Sequence, residues 1–302
     1  MVIVDYRDGT QVEYASFDGI LNYEDVLVID CMNCNIIRLP GLPSNLEKLW
    51  CTNNQLTYLP KLPNTLIELR CGYNSLTSLI SPGEELPSSL EILDCGLNKL
   101  PFLPKLPKRL QRLYTGFNPL GSLPELPSSL IKLECIYNLL VSLPELPNSL
   151  TKLNCNNNQI TFLPKLPQNL KYLDCGINKL TILPDLPDSL ESIDCIQNNI
   201  ISLDNHLSSN LETLFCEQNM LASLPESLTE LRFLRIIEYF GNPIEYIPLR
   251  VSRLLDRISS STGYKVYDDV QNVHDSVVNK SIAVSLTQIL KEDIIAAALE
   301  KV

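Results

Sequence analysis

The chain is short of the residues that enzymes use most. It has two histidines in 302 residues, one tryptophan and three methionines. His206 and His274 stand alone. Around them there is no Ser-His-Asp order, HExxH pair or phosphate-binding glycine loop. No catalytic residue, metal-ligand set or cofactor is assigned. Basic charge is also scarce: 24 lysines and arginines face 35 aspartates and glutamates, for a net charge of −11. With no lysine or arginine cluster evident, that balance argues against a nucleic-acid-binding face and against an anionic membrane surface. No apolar run reaches membrane-spanning length, and the opening MVIVDYRDGTQVEYASFDG has no basic stretch followed by an apolar one. A signal peptide is therefore not expected. The expected setting is cytoplasmic, with the ten cysteines reduced.

What the chain has in abundance is repetition. A unit of about twenty residues recurs eleven times, best seen in Leu150–Pro167 (LTKLNCNNNQITFLPKLP) and Leu170–Pro187 (LKYLDCGINKLTILPDLP). Each unit is too small to bury its own apolar face, so the units must stack into a solenoid. Nine cysteines mark the period: Cys31, Cys51, Cys71, Cys95, Cys135, Cys155, Cys175, Cys195 and Cys216. Thr115 and Tyr239 take the same place in two other units. Leu-X-Cys alternates with period two, which predicts one short strand per unit with leucine and cysteine inward. A small buried apolar side chain explains the cysteines better than metal or redox chemistry does. The CxxC of Cys31 and Cys34 arises because Cys34 fills a place held elsewhere by asparagine.

Asn54, Asn74, Asn98, Asn118, Asn138, Asn158, Asn178, Asn198, Asn219 and Asn242 form a second ladder. Their buried amides are expected to satisfy backbone groups freed by the turn after each strand and to bridge neighbouring units. The LeuProXLeuPro that closes each unit cannot be helix interior or central strand, because proline fixes φ and lacks an amide hydrogen. Its three-residue spacing matches polyproline II, with leucines inward and prolines outward.

These motifs resemble the short leucine-rich repeats of bacterial type III effectors over roughly residues 26–248. The inward cysteines and the segment Tyr267–Asp275 also resemble leucine-rich repeat proteins of giant DNA viruses of amoebae, which would place the protein in a host cytoplasm. The resemblance implies an α/β solenoid, a leucine-rich-repeat horseshoe with short parallel strands on the concave face and extended convex segments. Some effector relatives append a ubiquitin-ligase domain with a catalytic cysteine. The residues after 248 contain no cysteine, so that activity is not carried over.

Three segments are expected. Residues 1–25 hold a β-hairpin cap, with Val2–Tyr6 and Gln11–Tyr14 flanking a turn. Residues 26–248 carry the repeats. Residues 249–302 form a helical cap and tail, with Val251, Leu254, Leu255 and Ile258 on one helical face and further helices over 275–300.

The positions that the repeat leaves free carry the functional reading. Trp50, Arg70, Asp94, Tyr114, Glu134, Asp174, Asp194 and Phe215 alternate with the inward residues, and aromatic side chains on a rigid sheet are typical interface anchors. They point to a non-catalytic module that binds a protein partner, such as a basic segment, on the concave face. The alternative is a substrate-selecting adaptor of a ubiquitin-ligase or similar assembly, with the C-terminal helices docking a second partner.

Overall fold

The structure, a computed structural model, describes residues 1–203 and 207–262. Its core is a continuous sheet whose order follows the chain except at the N-terminal edge, where the first strand lies between the third and the outermost second. The N-terminal hairpin, β1 (Val2–Tyr6) and β2 (Gln11–Tyr14), joins antiparallel to β3 (Val26–Asp30). Ten three-residue strands continue the sheet in parallel: β4 (Lys48–Trp50), β5 (Glu68–Arg70), β6 (Ile92–Asp94), β7 (Arg112–Tyr114), β8 (Lys132–Glu134), β9 (Lys152–Asn154), β10 (Tyr172–Asp174), β11 (Ser192–Asp194), β12 (Thr213–Phe215) and β13 (Ile236–Glu238). Equivalent residues pair without offset, Leu153 with Leu173 and Leu173 with Ile193, so each repeat position becomes a row across the solenoid. The helix α1 (Leu249–Thr262) follows and packs against the 3-10 turn Glu226–Glu230.

Leucine and cysteine point inward as the alternation requires. All nine ladder cysteines have no exposed surface, and burial raises their thiol pKa values. Thr115 fills the same slot with its hydroxyl buried and without a hydrogen-bond partner. The four residues Val251, Leu254, Leu255 and Ile258 of α1 are buried together.

Each ladder asparagine bridges two units. Asn178 Nδ2 donates to the carbonyls of Cys155 and Cys175, both at 3.1 Å, and to Gly176 at 3.0 Å. Its Oδ1 accepts from Ile160 N at 3.0 Å. A hydroxyl ladder accompanies it: Ser89, Ser129, Ser149 and Ser189 donate to Leu66, Leu110, Leu130 and Leu170 of the preceding unit at 2.6–2.7 Å.

The return segments depart from expectation in one respect. Most of their leucines are buried, but in several units the second proline does not face outward: Pro87, Pro107, Pro167 and Pro187 are buried too. The cause is a turn, since each of these carbonyls accepts from the leucine three residues on, as Pro167 O does from Leu170 N at 3.1 Å. Cys71 and Cys95 stand 24 residues apart, and the insertion responsible, around Ile80–Glu85, leaves strand register intact, with Glu68 opposite Ile92. His206, His274 and the helices expected over 275–300 lie outside the described residues.

A feature absent from the sequence reading repeats in every unit. The residue before each ladder asparagine, or before Cys34 in its place, is left-handed: Asn33, Asn53, Tyr73, Leu97, Phe117, Tyr137, Asn157, Ile177, Gln197 and Gln218 have φ between 50° and 58°. Glycine, the usual choice, occurs there once, as Gly241 at φ 70°.

Candidate functional site

The unpaired face of the sheet carries a grid of side chains about 4.8 Å apart from strand to strand. One row reads Asp30, Trp50, Arg70, Asp94, Tyr114, Glu134, Asn154, Asp174, Asp194, Phe215 and Glu238. These residues are half-buried, because at that spacing each leans on its neighbours.

In the first half of the face, aromatic rings and cations hold one another. The Trp50 ring lies under both Lys48 Nζ at 5.9 Å and the Arg70 guanidinium at 5.6 Å, and its Nε1 is buried without an acceptor. Arg70 also pairs with Glu68. Lys132 sits 4.9 Å from the Tyr114 ring and 2.7 Å from Glu134, and Lys152 lies 4.6 Å from the Tyr172 ring. Such contacts contribute roughly 0.5–1 kcal/mol each at exposed sites, and they fix long side chains in place.

Register corrects one sequence reading. Arg112, Lys132 and Lys152 are direct cross-strand neighbours on β7, β8 and β9. Residues twenty apart in sequence thus form a basic row that no local cluster announced.

Along the same row three aspartates take on a structural task as well. Asp94, Asp174 and Asp194 each accept through Oδ1 from the amide two residues on, at 3.2, 3.1 and 3.0 Å. Asp174 also accepts from Asn156 Nδ2 at 3.0 Å. Burial raises the pKa of Asp94 and Asp174, and burial with the neighbouring Asp174 charge lifts Asp194 to about 7. The Asp174–Asp194 pair lies on an open sheet face. The hollow of ≈ 570 Å³ around Leu166, Ile182, Leu183 and Leu186 lies instead between return segments.

A neighbouring row, one residue past the inward Cys175, Cys195, Cys216 and Tyr239, runs Gly176, Ile196, Glu217 and Phe240. Backbone bonds from Gln197 N to Glu217 O and from Gln218 N to Phe240 O set its register. It is tightly packed at Gly176, where a Cβ would stand 2.8 Å from Asn156 Nδ2 and 3.2 Å from Asp194 Oδ1. Glu217 is only 8% exposed, and burial first, then the Glu238 carboxyl it faces, lift its pKa to about 9.

The sequence reading named Asp94, Asp174, Asp194 and Phe215 but not Glu217. Its signal is weak: one glutamate in a row otherwise filled by glycine, apolar residues, one threonine and one asparagine.

No protein-family model matches the chain, and no curated protein does. Solved structures do. YopM from Yersinia enterocolitica is 32% identical with a TM-score of 0.53, over 74% of this chain and 57% of that one. The functional domain of InlJ from Listeria monocytogenes, which includes a cysteine ladder, is 24% identical with a TM-score of 0.55, over 75% and 56%. The leucine-rich repeat domain of APL1B shares the fold at 19% identity and a TM-score of 0.59, over 71% and 68%. The chain therefore spans just over half the length of the first two.

Proposed function

Since the chain is a leucine-rich repeat protein, we propose that it is a non-catalytic recognition module that binds a protein partner on the concave sheet face. The contact residues are Trp50, Arg70, Asp94, Tyr114, Glu134, Asp174, Asp194 and Phe215. One observation carries this reading: two aromatic rings of the row are held by adjacent cations, with Trp50 between Lys48 and Arg70 and Tyr114 against Lys132. Rings fixed before binding lose little entropy on contact, which is what an interface anchor requires.

The face is also zoned. The basic row of Arg112, Lys132 and Lys152 precedes the acidic stretch from Asp174 to Glu238. A partner with the opposite order of charges matches it, and such complementarity sets register and on-rate more than affinity. The hairpin and α1 act in this proposal as end caps that shield the terminal leucines. The setting is the cytoplasm, and neither nucleic acid nor membrane is a proposed partner.

The experiment places a photo-crosslinking amino acid at position 114 or, on a return segment, at position 162. A partner captured from 114 and not from 162 supports the proposal, and the reverse pattern refutes it.

A further inference from the structure

Across β11, β12 and β13 two rows interleave into a small grid. The first reads Asp194, Phe215, Glu238. The second, beside it, reads Ile196, Glu217, Phe240. Acids and apolar side chains alternate in both directions, so Phe215 lies between two carboxylates and Glu217 lies between two apolar neighbours.

Glu217 is the anomaly of this grid. Its side chain is more than nine-tenths buried, it faces Glu238, and its Oε2 has no hydrogen-bond partner. Among the described residues no ion pair reaches Asp194, Glu217 or Glu238: Arg235, just before β13, pairs with Glu212, just before β12, instead. The basic row ends at Lys152 on β9, three strands from β12 and so roughly 14 Å away. A buried carboxyl oxygen without a partner is costly and needs a physical account, even though the same carboxyl meets Glu238.

We propose that Asp194, Glu217 and Glu238 receive an arginine side chain of the protein partner, whose guanidinium lies against the Phe215 and Phe240 rings. This rests on the concave-face reading and names its anchor. Arginine fits better than other cations for three reasons. Its planar fork donates to two or more carboxylates at once. It is weakly hydrated and enters a partly apolar site more readily than an ammonium does. Its flat face stacks on aromatic rings. A metal ion is a poor match, because among the described residues no three acids are arranged to hold one.

The test uses the full chain and a fluorescent peptide, Ser-Gly-Arg-Gly-Arg-Gly-Ser, beside the same peptide with citrulline, a neutral isostere, for each arginine. Three proteins are compared by anisotropy titration: wild type, the double variant Glu217→Gln with Glu238→Gln, and the control Glu125→Gln with Glu145→Gln. The control makes the same two glutamate-to-glutamine changes on exposed return segments. Expected are binding of the arginine peptide to wild type and control alike, at least tenfold weaker binding to the Glu217/Glu238 variant, and no binding of the citrulline peptide. Equal weakening in both double variants, equal binding of the two peptides, or no binding at all would overturn the arginine site. If the site fails while crosslinking from position 114 persists, the concave-face reading stands. If crosslinking fails as well, both fall.

Discussion

Asn98 holds the carbonyl of Cys71, one full turn away, through its Nδ2 at 3.0 Å. The same amide binds Cys95 O and Gly96 O of its own unit at 3.2 and 3.1 Å and accepts from Leu76 N at 2.9 Å. Four backbone groups therefore depend on one side chain.

Asn98→Ala strands those groups in a buried turn. Each unsatisfied group costs about 1–3 kcal/mol, less whatever water recovers, so a loss of about 3–5 kcal/mol in urea unfolding is expected. Asn98→Asp keeps the acceptor and loses the donor, and is expected to be at least as damaging.

The thiols give a second check. Nine of the ten cysteines have no exposed surface, whereas Cys34 is partly exposed beside Met1. A thiol-reactive chromophore should label one cysteine in the native protein and ten after denaturation. Rapid native labelling of several would contradict the buried ladder.

The left-handed residues make a third prediction, at Leu97, where φ is 53° and the side chain is 39% exposed. Left-handed backbone costs an ordinary L-residue roughly 1–2 kcal/mol, and asparagine tolerates it better. Asn33, Asn53 and Asn157 already occupy this position in other units. Leu97→Asn should gain about 0.5–1 kcal/mol in urea unfolding once the lost apolar contact is subtracted.

Stability should also depend on pH. Glu217 rises from 4.5 unfolded to about 9 folded, so between those values the folded protein retains a proton that the unfolded chain releases. Its favourable contribution is complete below about pH 4.5 and is lost as pH climbs toward 9. Asp194, raised from 3.8 to about 7, adds to the fall over the lower part of that window. Thermal unfolding should show Tm declining from pH 5 to 9 in wild type and declining less in Glu217→Gln. A Tm that rises over this range would contradict the buried protonated carboxyl.

Much of the fold was legible because chemistry recurs with the period. Leu-X-Cys dictates a strand with two inward residues, and an asparagine three residues past the cysteine can only be a backbone bridge when it returns ten times. The left-handed ladder was hidden because tyrosine, leucine and isoleucine occupy it against their own preference, imposed by the stacked turns around them. The basic row Arg112–Lys132–Lys152 was hidden for a different reason: its members are neighbours only after every strand pairs without offset. The turn-holding role of Asp94, Asp174 and Asp194 depends likewise on geometry that residue type alone does not carry.

The most direct measurement is calorimetric titration of the partner captured from position 114 against three forms of the full chain. These are wild type, a concave variant combining Trp50→Ala, Tyr114→Ala and Lys132→Glu, and a return-segment variant combining Phe162→Ala and Ile182→Ala, two side chains more than half exposed. Removing fixed aromatic anchors commonly costs about 2 kcal/mol or more each. The expected result is at least a hundredfold loss of affinity for the concave variant, with its Tm close to wild type, and an unchanged Kd for the return-segment variant. Unchanged affinity in the concave variant, or loss confined to the return-segment variant, would contradict recognition on the concave face.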